Sequence, residues 1–442
     1  DYFRAFAEAC EQAERQILIL GWDFDRHEDL FHGTRETELP TKLGAFLRQL
    51  VKRKKNLRIF LLCWDFNMIY AVERELLPAL RLRLVTPPRF HFRLDGRHPT
   101  GASQHQKMVV IDNNVAFCGG IDLSRWRWDT SEHEANDPRR MDPNGKPYPP
   151  FHDMMIAIEG PAAAALGDLA RYRWRRARGW RIRKCKDSTS NPWPASVPTD
   201  LKHVTVGISR TFPAFGKFKA IREIRRLHLD AIAAAQDFIY IENQYFTSHA
   251  LGRAISQRLA EEDGPEVILV LPEKTGGWLE QLTMDVLRGR VISQMQQANK
   301  HDRLRVLYPH QNGLGDSCIN VHAKLLIVDD RLLRIGSSNT SNRSMGFDSE
   351  CDLTIEARLE GDPVNQHIQQ LRHCLLAEHL GCDIQAVADS ERQEQSFIAS
   401  TEKLMKSKGR SLRPLDCRVD EEIDELVPDD RLIDPAEPYS PD

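Results

Sequence analysis

The chain has 442 residues, of which 41% are apolar and 28% charged, with a formal net charge of −3. That is the composition of an ordinary soluble protein, long enough for two or three domains or one fused pair, and its near-neutral balance argues against a generally cationic nucleic-acid binder. No apolar run approaches the roughly 20 residues that span a bilayer, so any membrane contact by these residues is expected to be peripheral.

The apolar pattern predicts a helix over residues 3–15, a strand over 17–20, a helix near 41–52, and strands at 57–63 and 82–85. A further strand is predicted at 107–112, and residues 131–150, rich in Pro, Asn and Asp, form an insertion with no later counterpart. A loop of that length is either a lid or binding element or a passive surface excursion. Residues 187–198, DSTSNPWPASVP, carry Ser and Pro without periodicity and read as a joint. Beyond it the order recurs: helix 221–236, strand 238–241, helix 251–261, strand 267–271, helix 279–299, strand 304–307 and strand 324–328. Residues 390–411 read as helical and basic at their end, and 416–442 as an acidic, Pro-rich tail that is extended or disordered. The expected division is a first half over 1–186, a linker over 187–203, a second half over 204–383 and an acidic, partly disordered extension over 384–442. The first residue is Asp and not Met, so the chain reads as a fragment or a trimmed form, from which a leader could have been removed.

The nine cysteines are odd in number and scattered from Cys10 to Cys417 without metal-like or framework spacing, which fits reduced thiols in a cytosolic setting. Cys118 and Cys351 adjoin the motifs described next, and packing is their expected role.

One pattern, His-x-Lys-x-x-x-x-Asp, occurs twice: His105, Lys107 and Asp112 in HQKMVVIDNNVAFCGG, and His322, Lys324 and Asp329 in HAKLLIVDDRLLRIGSS. A His and a Lys two apart on a strand share a face. Two such strands brought together offer two imidazoles and two ammonium groups. That set suits a phosphodiester: one His attacks, the other protonates the leaving oxygen, and the lysines neutralise the non-bridging oxygens. A small pair follows each motif Asp, Gly119-Gly120 and Gly336-Ser337, and then a short polar residue, Asp122 or Asn339. Asp112 and Asp329 stand at a strand-to-turn junction and are read as structural, closing turns and pairing with cations.

The repeated motif resembles the signature of the phospholipase D superfamily. ILILGWDFD and IYIENQYFTS are similar to the segments that open each half of eukaryotic-type phospholipases D, while FHDMMIAIEGPA and SECDLTIE resemble the segments that close them. The resemblance runs in order from about residue 2 to residue 380. It implies an α/β fold of two α-β-α sandwich halves from an internal duplication, related by a pseudo-twofold axis and sharing one active site.

The resemblance further implies that Asp153 and Glu350 orient the histidines, one for each, that His105 is the nucleophile and His322 the acid, and that Asn339 touches phosphate. Asp122 departs from the expected residue, because an acid beside phosphate repels it. No metal and no cofactor are expected. The implied function is hydrolysis of phosphatidyl-alcohols such as phosphatidylcholine through a phosphohistidine, with transfer to other alcohols as a second outcome. The alternatives are cardiolipin synthase-type phosphatidyl transfer or a nuclease on the same two histidines; a non-enzymatic interaction protein is disfavoured because both motifs are intact. The expected partner is a phospholipid at a membrane surface, with nucleic acid disfavoured. The chain is expected to be a monomer, cytoplasmic or peripheral to a membrane, and its parent protein can carry a membrane anchor. The basic run RYRWRRARGWRIRKCK over 171–186 is read as a helix end docked by its tryptophans, against readings as an anionic-lipid or nucleic-acid contact.

Overall fold

The computed structural model describes the chain except residues 1, 34–37, 66–86, 186–190, 277–280, 360, 420–423, 425–426, 428–432 and 439–442. The predicted strand at 82–85 and the start of the predicted helix at 279 lie outside the described residues.

The first half contributes β1 (Gln16–Gly21), β2 (Arg58–Trp64), β3 (Phe90–Asp95), β4 (Met108–Ile111), β5 (Val115–Gly119), β6 (Phe151–His152) and β7 (Met155–Glu159). The second contributes β8 (Val206–Phe212), β9 (Ile221–Arg222), β10 (Phe238–Asn243), β11 (Glu266–Val270), β12 (Leu304–His310), β13 (Asn320–Val321), β14 (Lys324–Val328), β15 (Leu332–Gly336), β16 (Glu350–Glu356) and β17 (Ser411–Pro414). The first sheet runs β3-β2-β1-β4-β5-β7, and the second contains β12-β11-β10-β14-β15-β16 in the same order. The directions also match. β1 is parallel to β2 and antiparallel to β4, as β10 is parallel to β11 and antiparallel to β14. A duplicated sequence would produce this correspondence.

Each sheet is covered on both faces, so its central strands are apolar on both sides. Ile17 and Ile19 of β1 join the core beneath helices Tyr2–Gln12 and Leu43–Arg53, while Leu18 and Leu20 face helix Pro161–Arg176. In β10, Ile239 and Ile241 pack with helices Glu223–Ala234, His249–Leu259 and Val286–Ala298, and Phe238 and Tyr240 pack with helix Pro363–Leu380. The period of two thus builds an α-β-α sandwich in each half. Between the halves, Met108, Val110 and Cys118 share one core with Phe212, Cys351 and Leu353.

Two readings of the chain are altered. The strands that follow each motif strand, β5 and β7 in one half and β15 and β16 in the other, were not anticipated as elements. Their sequences are short apolar runs joined by tight turns, which periodicity alone does not separate from the motif strand. The segment beyond residue 384 is built into the second half: Val387, Phe397, Ile398 and Leu412 join the core of Leu325 and Ile327, and β17 pairs with β12. Within the acidic tail, Asp434 is buried and accepts hydrogen bonds from Thr247 Oγ1 and from the amides of Asn342 and Arg343. The basic run is mostly a docked helix end. Trp174 is buried, Arg173 is ion-paired with buried Asp95, and Arg171 reaches Asp168 and Asn113, leaving Trp180 exposed. No described helix is long and apolar enough to cross a membrane. All nine cysteines are free thiols.

Candidate active site

The motif spacing is the length of one short strand. Asp112 ends β4 in a two-residue turn in which Asp112 and Asn113 have φ of 50° and 61°, and Asp329 and Asp330 repeat it after β14 at 52° and 48°. Asp and Asn tolerate this left-handed region, which lets the next strand return antiparallel. The Asp112 carboxylate accepts the amides of Glu14, Arg15 and Gln16 at 2.6, 2.8 and 2.7 Å. Asp329 accepts those of Gln236, Asp237 and Phe238 at 2.8, 2.9 and 2.8 Å. Both aspartates therefore close turns, as expected, and they do it by collecting the amides that open β1 and β10.

The histidines lie just ahead of their strands, in extended segments that cross to the other half. The His105 amide donates to the Ser349 carbonyl at 2.9 Å, and the His322 amide donates to the His152 carbonyl at 2.7 Å. Ser349 precedes Glu350, and His152 precedes Asp153. As a result, each imidazole meets the carboxylate of the opposite half: His105 Nδ1 lies 2.9 Å from Glu350 Oε1, and His322 Nδ1 lies 2.6 Å from Asp153 Oδ2. A carboxylate at Nδ1 fixes the tautomer and leaves Nε2 bare.

The supports of the two carboxylates differ. Glu350 accepts from Ser337 Oγ and from Ser344 Oγ, the latter at 2.7 Å. Ser337 corresponds to Gly120, where an added Cβ would lie 2.1 Å from Asp153 Oδ1. The small pair after each strand is thus the floor beneath a carboxylate: bare in the first half, hydroxyl-bearing in the second. Lys107 Nζ donates to the His105 carbonyl at 3.2 Å and Lys324 Nζ to the His322 carbonyl, so each ammonium folds back onto its own motif. Lys107 also pairs with Asp122 at 3.2 Å, and Asp122 accepts the Trp22 amide at 2.8 Å. Asp122 therefore anchors a lysine, a role its charge alone did not suggest. Lys324 makes no ion pair among the described residues. Asn339 is buried, its amide donates to Ser344 Oγ at 3.0 Å, and its Oδ1 has no partner among the described residues.

Burial pushes both imidazoles well below the ordinary histidine range, and Lys107 and Lys324 push the same way; His322 is further affected by Arg127 and by His105 itself. Both rings are therefore neutral in the free protein. Burial raises Glu350 well above the usual carboxylate range and brings Asp153 up to about 6. Burial also lowers Lys324 to about 7.

Two groups around these histidines were not found by the sequence reading. Arg127 lies over the Phe151 ring, 5.1 Å from its centroid, and adds a third positive charge beside His322 and Asp153. Trp22 stacks on Trp64 at 5.6 Å and meets His105 edge-on at 6.5 Å. Arg127 belongs to no repeated pattern, and Trp22, although it lies within the opening segment ILILGWDFD, is not part of the His-x-Lys-x-x-x-x-Asp spacing.

The family described as "Cardiolipin synthase, PLD-like domain" matches residues 228–375, which hold the second motif and Glu350. Phospholipase D A of Dictyostelium discoideum is 25% identical over 86% of this chain and 35% of its own length. Phospholipase D alpha 1 of Zea mays is 26% identical over 85% of this chain and 63% of its own length. The chain is similar to members of the phospholipase D superfamily over most of its length. It spans between about a third and two thirds of these two relatives. Among solved structures, the phosphatidylserine synthase of Haemophilus influenzae Rd KW20 aligns with 96% of this chain and 89% of its own, at a TM-score of 0.53 and 14% identity. That likeness is one of fold, and it covers both halves.

Proposed function

We propose that the chain is a phospholipase D-type phosphodiesterase that hydrolyses phosphatidyl-alcohols to phosphatidate through a phosphohistidine. The single observation that supports this best is the crossed arrangement, in which His105 rests on Glu350 and His322 on Asp153. In this reading His105 Nε2 attacks phosphorus and the bond to the departing alcohol breaks. Both imidazoles are neutral beforehand. The negative charge of a bound phosphate offsets the lysines and lets His322 carry the proton that it gives to the leaving oxygen. Water then attacks phosphorus and His322 takes its proton, so the N–P bond breaks and His105 is restored. Lys107 and Lys324 neutralise the non-bridging oxygens, Asn339 adds a contact, and no step passes through a metal.

A second reading, phosphatidyl transfer to an alcohol in place of water, is favoured by the description of the family matched over residues 228–375. The two share the first displacement and differ in the second nucleophile. Phosphatidylcholine, phosphatidylglycerol and single-stranded DNA, offered in parallel to the wild-type chain and to His105→Ala, test the proposal. Lipid turnover that His105→Ala abolishes supports it, and cleavage of the DNA alone overturns it.

A further inference from the structure

Beside Asp153 lies a second cluster that the phosphodiester chemistry does not use. Glu378 Oε1, on helix Pro363–Leu380, lies 2.7 Å from His152 Nδ1 and 2.9 Å from His133 Nε2. The three ligand atoms all lie within 4.8 Å of one another. They come from the 131–150 insertion, from β6 and from the second half, so no sequence spacing could reveal them. We propose that His133, His152 and Glu378 form a zinc site that clips the insertion and the residue before Asp153 to the second half.

The outer contacts carry the argument. His133 Nδ1 lies 2.8 Å from Asp129 Oδ2, and His152 Nε2 lies 2.6 Å from Glu242 Oε2. Each imidazole is thus backed by a carboxylate on the nitrogen facing away from Glu378, the arrangement that fixes the tautomer and raises the basicity of a metal-binding histidine. The carboxylates are themselves held. Arg140 donates to Asp129 at 2.8 Å, and Tyr240 donates to Glu242. Two imidazoles and one carboxylate are a zinc donor set, and at bond lengths of about 2.0–2.1 Å the ligand atoms would stand roughly 3.3 Å apart, a small opening from the present contacts. The Glu378 side chain keeps 20% of its surface exposed, against 3% for His133 and 4% for His152, which leaves a solvent-facing fourth position. The neighbouring group of His152, Glu242 and His379 is wholly buried and offers no such access.

The full chain, purified without chelator, exposed to zinc sulfate and passed through gel filtration, is expected to hold one zinc per chain by elemental analysis. Chelation should remove the zinc and lower the midpoint of thermal unfolding, and re-addition should restore it. Asp129→Asn, which keeps the shape of the outer contact, should weaken zinc binding roughly 10- to 100-fold. His133→Ala and Glu378→Gln should abolish stoichiometric binding. Less than a tenth of an equivalent bound by the wild-type chain, or equal retention by His133→Ala, Glu378→Gln and wild type, overturns the proposal and leaves a hydrogen-bonded cluster. Because the clip stands outside the reacting groups, turnover of a soluble substrate below the lowered melting temperature should survive zinc removal.

Discussion

In the proposed mechanism the two imidazoles, each held by a carboxylate of the opposite half, act as one unit, and the loss of either should remove it. His105→Ala and His322→Ala are each expected to lose nearly all turnover, with the double variant little worse, because groups that act together are not additive. Near-normal rates in either single variant would contradict the pairing. Lys324 sets a second expectation. Burial lowers it to about 7, so its charge is present below that pH and lost above it. In the free enzyme this loss weakens phosphate binding, so kcat/KM measured on a short-chain soluble substrate should fall as pH rises through about 7. A profile flat from about pH 6 to about pH 9 would contradict a role for its charge. Arg127, placed beside His322 and Asp153, should raise KM when changed to Ala, with a smaller effect on kcat if it only holds substrate.

The motif strands show which part of such a site can be read from sequence. β14 was legible to the residue, and β4 nearly so, because a run of apolar residues between a Lys and an Asp has few other meanings. The partner of each histidine was legible only as a pair of acids, since no sequence pattern states that the chain crosses between halves. The turn role of Asp112 and Asp329 was readable from their position, but not the identity of the groups they hold, because backbone amides leave no trace in composition. That role gives an expectation at this scale. Asp112→Ala leaves three amides without their acceptor and places Ala at φ of 50°. It should cost about 3 kcal/mol or more in denaturant unfolding. Asp112→Asn, which tolerates the turn and keeps one acceptor, should lose less. An unchanged midpoint in Asp112→Ala would show that the turn does not depend on its carboxylate.

Across the whole molecule, two sheets of matching order share one core, and the segments leading into β4, β14 and β16, together with β6, exchange the contacts that hold the histidines. The repeat made the two-half architecture legible. The later strands, the folding of the chain beyond residue 384 onto the second half and the cluster around Glu378 were not legible, because each joins residues far apart in sequence. Neither motif histidine takes its carboxylate from its own half, so the proposed chemistry belongs to the assembled chain and passes through a covalent intermediate on His105. That intermediate is most directly tested by adding ethanol to phosphatidylcholine and the wild-type chain. The account predicts phosphatidylethanol beside phosphatidate, both absent with His105→Ala. Phosphatidate alone at every ethanol concentration, or phosphatidylethanol undiminished in His105→Ala, would contradict it.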